Sequence, residues 1–118
     1  MPNPLEVSIS ANGFTPCNVT LYKSNPGDSR PNSVKWTNNA TSDVSWNCNS
    51  AGSFLATTAP PNNSNPASPN ATISAGQSLT LWVKDSATTN SSVSYTLELN
   101  GAELSCISRN PPEILIEP

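Results

Sequence analysis

Apolar residues recur at every second position along most of this chain, and no stretch carries the three-to-four spacing of an amphipathic helix. In an extended strand successive side chains point to opposite faces. Leu5, Val7 and Ile9 therefore share one face, while Glu6, Ser8 and Ser10 share the other. The same alternation runs through Cys17, Val19 and Leu21, then Val34 and Trp36, then Val44 and Trp46. It continues through Leu79, Leu81 and Val83, through Val93, Tyr95, Leu97 and Leu99, and ends at Ile114 and Ile116. Between the runs stand Asn12-Gly13, Asn25-Pro26-Gly27-Asp28, Ala75-Gly76-Gln77 and Asn100-Gly101, which are turn chemistry. Seven or so strands with one apolar face each must bury those faces against one another. The pattern predicts an all-β protein, a two-sheet antiparallel sandwich or a flattened barrel.

At 118 residues the chain has the size of one domain, and a single β-sandwich unit over 1–118 is expected. The twelve prolines concentrate outside the alternating runs, as they must if the ladders are to keep their donors. Residues 57–70, reading TTAPPNNSNPASPN, hold nothing apolar larger than Ala or Pro and read as a long exposed loop. Only 11% of residues are charged, so the surface is polar through Asn, Ser and Thr rather than through ions. With a net charge of −3 and the five cations Lys23, Arg30, Lys35, Lys84 and Arg109 scattered, phosphate binding has no basis and nucleic acid is not an expected partner. No apolar run reaches the length of a membrane span, so no membrane insertion is expected. Met1 is followed by Pro-Asn-Pro without leader features, which leans towards the cytoplasm unless a leader has been removed. The polar, weakly charged composition leans the other way, towards a periplasmic or extracellular location.

The chain has no histidine. This removes Ser-His-Asp and Cys-His nucleophile activation and imidazole general catalysis near neutral pH. It also removes nearly every catalytic zinc or copper arrangement, so no metal and no cofactor is expected. Three cysteines, Cys17, Cys48 and Cys106, show no C-x-x-C pair and allow at most one internal disulfide. Cys17 alternates in phase with Val19 and Leu21 and reads as a small buried hydrophobe, so the expected bridge is Cys48 with Cys106, both in loop-like surroundings. Asp28, Asp43, Asp85, Glu98 and Glu103 are the carboxylates from which a glycosidase-type pair could be drawn. Sequons stand at Asn18, Asn39, Asn62, Asn70 and Asn90, about as many as the Asn, Ser and Thr content supplies by chance. Trp36 and Trp46 share phase with inward Val residues, whereas Trp82 is out of phase with Leu81 and Val83 and points outward. The candidate ligand contacts are Trp82 together with Asn39, Asp43 and Asn63 from the polar loops Asn38 to Asp43 and Asn62 to Asn70.

Read together, Gly13-Phe14-Thr15-Pro16, the run Cys17 to Tyr22, the turn at Gly27-Asp28 and Val34-Lys35-Trp36-Thr37-Asn38 resemble the cupredoxin family. Ala75 to Leu79, Ser94 to Leu97 and Glu113 to Ile116 resemble its later strands. The resemblance implies a Greek-key sandwich of cupredoxin-like or immunoglobulin-like form. It carries no copper ligands, since the family's first His falls near Asp43 or Val44 and its Cys and second His near Leu99, where neither type stands. The functional expectation is a non-catalytic, metal-free module that binds a protein or carbohydrate partner. One alternative is a structural subunit, such as a homodimer, pairing through sheet edges. The other is a carboxylate-only hydrolase.

Overall fold

The computed structural model describes residues 3–23, 29–106 and 112–118. The turn expected at Asn25 to Asp28, the carboxylate Asp28 and the cation Arg109 lie outside the described residues. The described residues form an all-β fold of twelve short strands and one four-residue helix. Eight of the strands are the alternating runs: β1 (Leu5–Ser10), β3 (Val19–Tyr22), β4 (Ser33–Asn38), β5 (Val44–Asn47), β8 (Ser78–Val83), β9 (Ser91–Ser94), β10 (Thr96–Leu99) and β12 (Glu113–Glu117). Four more, β2 (Gly13–Thr15), β6 (Leu55–Ala56), β7 (Asn70–Ile73) and β11 (Ala102–Glu103), lie outside those runs. The helix, α1 (Ala51–Phe54), leads into β6.

The strands form three sheets, ordered β2-β1-β4-β8-β6, β11-β10-β5-β7 and β3-β12-β9. The expectation of purely antiparallel pairing is not met. β1 lies parallel to β4, with Val7 opposite Trp36, and β12 lies parallel to β3, with Ile116 opposite Leu21. Alternation has the same period in both kinds of ladder, so the sequence pattern carries no information about strand direction. β9 and β10 are separated only by Tyr95, whose backbone N–H donates to Pro112 O at 3.0 Å.

The inward phases meet in one core. Val7, Ile9, Leu21, Val34, Val44, Leu97, Ile114 and Ile116 are fully buried. At its centre Trp36 stands edge-on to Trp46 with centroids 5.3 Å apart and edge-on to Tyr95 at 5.4 Å. Such tilted contacts are the favoured geometry of aromatic pairs. Tyr95 reaches out of this cluster to donate its hydroxyl to Cys17 O at 2.9 Å.

Turn chemistry closes the hairpins as the sequence predicts. Asn100 and Gly101, with φ of 53° and 81°, form a two-residue link between β10 and β11, a turn that needs positive φ at both positions. Buried asparagines order two of the longer loops. Asn38 follows Val34 and Trp36 on the inward face; its Nδ2 donates to Ser42 O and Ile73 O, both at 2.9 Å, and its Oδ1 accepts from Ala40 N. Those bonds hold the β4–β5 loop in one shape.

One sequence expectation about covalent structure is corrected. The disulfide joins Cys17 to Cys106, across 89 residues and a Cα separation of 5.6 Å, and Cys48 is a free, buried thiol. Cys17 follows β2 after Pro16, and Phe14 N donates to Ser105 O at 3.3 Å, which brings Cys106 to it; Cys48 instead turns inward from the end of β5. The 57–70 segment is exposed over most of its length but is fastened to the sheet. Ala56 bridges Pro66, Thr57 N donates to Asn65 O, Ala67 N donates to Leu55 O, and Asn63 and Ala67 are buried.

Candidate functional site

Side chains on the outward face of the five-stranded sheet fall into rows set by strand register. Trp82, itself half-buried, lies opposite Ala56 and Ser33, both of which are buried. One step along, Thr80, Lys35 and Glu6 stand side by side. The following outward row is Ser78, Thr37, Ser8 and Thr15, in which Thr37 and Ser78 share a hydroxyl hydrogen bond of 2.9 Å. From Trp82 to this hydroxyl row is four residues of strand, roughly 13 Å at the usual rise. The only charged residues in the rows, Glu6 and Lys35, are neighbours of opposite sign, so the face has no net charge.

Asn39 joins this face at its far end. Its side-chain amide donates to Ser8 Oγ at 3.0 Å and its backbone N–H to Ile9 O at 2.8 Å. Asp43 lies in the same β4–β5 loop, where its carboxylate accepts from Ala75 N at 3.3 Å. Trp82 and Asn39 thus share a face at opposite ends of the sheet, and the structure does not gather the four sequence-predicted contacts into one point.

Asn63 is not available to a ligand. It is 2% exposed, its Nδ2 donates to Val83 O at 2.8 Å and Thr58 O at 3.2 Å, and its Oδ1 accepts from Asp85 N at 2.8 Å. Both donors and an acceptor lone pair are used to pin the 57–70 loop beside β8. Asp85 in turn accepts from Asn62 N, so that carboxylate is part of the same fastening. Among the other carboxylates, Glu98 and Glu103 face each other across β10 and β11, on the exposed edge of their sheet.

Sequence reasoning missed a cleft beside β2. It has a volume of about 300 Å³ and lies between the β1–β2 hairpin and the Ser105–Cys106 segment. Ser8, Ser10, Asn12, Thr15 and Ser105 supply its polar groups, and Phe14 and Cys106 its apolar ones. Gly13 makes the close approach possible: its φ is 144°, and a Cβ there would stand 2.7 Å from Ser105 O. The Asn12-Gly13 turn was legible in the sequence, but the partner that approaches the glycine lies more than ninety residues away, and no local signal points to it. Ser8 belongs both to the cleft and to the hydroxyl row, so the two surfaces are continuous.

Among the described residues no three His, Cys, Asp or Glu side chains converge in a metal-binding group. Burial pushes the Cys48 thiol above its ordinary pKa, which keeps it protonated and unreactive. Burial likewise pushes Tyr95 up to about 12, so its phenol remains a hydrogen-bond donor at ordinary pH. Compared with protein-family models, with curated proteins and with solved structures, the chain matches none.

Proposed function

We propose that this protein is a non-catalytic, metal-free binding module whose partner is a neutral carbohydrate, held on the outward face of the five-stranded sheet. The observation that carries the reading is the face itself: one outward tryptophan followed by rows of Thr and Ser hydroxyls, with its two charges neighbouring and opposite. A pyranose ring has an apolar C–H face that packs on an indole and a rim of hydroxyls that exchange hydrogen bonds with Ser, Thr and Asn. Of the two partner classes expected from the sequence, protein and carbohydrate, this chemistry favours the second. A glycan array followed by titration of the best binder tests it. Replacing Trp82 by Ala is expected to weaken binding about tenfold or more with the fold intact, and a flat array removes the reading.

The architecture proposed with it is a cupredoxin-like Greek-key sandwich. If β9 and β10 are one strand interrupted at Tyr95, the two smaller sheets join into a single layer ordered β3-β12-β9/β10-β5-β7, which covers the inward face of the five-stranded sheet. The residues present do not fit the copper centre of that family. The chain has no imidazole, and the sulfur of Cys106, the one thiol near the relevant loop, is bonded to Cys17. The disulfide also supports a periplasmic or extracellular location over a reducing cytoplasm.

One observation favours the assembly reading as an alternative. Both edges of the five-stranded sheet are covered, but β7 pairs only with β5 among the described strands and carries no charge or proline in Asn70–Ile73. Such an edge accepts a further strand. Sedimentation velocity over a hundredfold range of concentration separates the two, since a monomer throughout leaves only the binding module.

A further inference from the structure

Resting on the carbohydrate reading, we infer that the cleft between the β1–β2 hairpin and the Ser105–Cys106 segment is a second subsite, taking a further sugar ring of the ligand that lies over Trp82. Its volume of about 300 Å³ stands at the lower end of the range for small-molecule sites. Its polar lining comes from hydroxyls and one amide, Ser8, Ser10, Asn12, Thr15 and Ser105, with no ionisable side chain, so it suits an uncharged, polyhydroxylated group. A peptide strand is disfavoured there. Phe14 N already donates to Ser105 O, and the Cys106 sulfur sits 3.6 Å from Phe14 O, so the outer edge of β2 is occupied where an added strand would bond. Through Ser8 the cleft opens onto the hydroxyl row that leads to Trp82, which lets one oligosaccharide engage both. The Cys17–Cys106 bond holds the outer wall.

The test is a titration of isotopically labelled protein with cellohexaose, chitohexaose and mannohexaose, following the Trp82 indole N–H and the backbone amides of Ser10, Asn12 and Ser105. At least one hexaose is expected to shift both sets. Ser105→Trp and Ser10→Trp, which fill the cleft from opposite walls at exposed positions, are each expected to weaken that hexaose about tenfold while the Trp82 signal still responds. Reduction of the disulfide is expected to abolish the cleft shifts and spare the Trp82 shift. If Trp82 responds while the cleft amides stay still and both fillings leave affinity unchanged, the subsite is overturned and the carbohydrate reading stands. If no hexaose moves either set, both fall; cleft shifts that persist after reduction overturn the role given to the disulfide.

Discussion

Tyr95 is 1% exposed, packs against Trp36 and Phe14, and spends its hydroxyl on Cys17 O. Tyr95→Phe removes that bond and leaves a buried carbonyl without its donor, a loss expected to cost about 1–2 kcal/mol in urea unfolding. The same residue sets an alkaline limit. Its pKa rises from an ordinary 10.0 to about 12 on folding, so between those values the unfolded chain gives up a proton that the folded chain keeps. Stability from this group is therefore full below pH 10 and falls as pH rises towards 12, by on the order of 1.4 kcal/mol per unit, and Tyr95→Phe is expected to flatten that slope. Asn63 is a second residue whose role is internal. Asn63→Ala breaks three hydrogen bonds at a buried site and is expected to lower stability by roughly 2–4 kcal/mol and to loosen the 57–70 loop in hydrogen exchange. Asn38 shares the phase of Val34 and Trp36, but as the first residue of a polar loop it gave no sign of burial. Asn63 gave none either, because nothing in a Pro- and Asn-rich stretch marks which amide turns inward.

At the scale of elements, the edges of the five-stranded sheet are closed by two different devices. β6 is covered by the 65–67 segment, and β2 by Ser105 under the Cys17–Cys106 bond. A covered edge cannot template association, which makes the disulfide a guard as well as a staple. Closing a loop of 89 residues constrains the unfolded chain, so reduction is expected to cost about 2–5 kcal/mol. It is also expected to speed amide exchange in Gly13–Thr15. Peptide mapping distinguishes this pairing from the alternative bridge: it should recover Cys17 linked to Cys106, with Cys48 the thiol that reacts once denaturant exposes it. The long alternating runs were legible as strands because their period repeats two to four times. β2, β6, β7 and β11 were not, since each holds at most one large apolar side chain and gains its identity from the neighbour it bonds.

For the molecule as a whole, a neutral ligand on a face without net charge gains nothing from long-range attraction, even though the chain carries −3 overall. Carbohydrate affinity is therefore expected to change less than twofold, roughly, between low and high salt in calorimetry; a steep salt dependence would point to an ionic partner instead. The sequence by itself determined that the protein is all-β, which residues of its long strands face inward, and that imidazole chemistry is closed to it. Those properties depend on residue identity and on a period of two, both local. Tertiary structure alone decided the two parallel pairings, the partner of Cys106, the burial of Asn63 and the cleft at Gly13. Each of these requires segments far apart in the chain to meet, and alternation within one segment is the same whichever neighbour it finds.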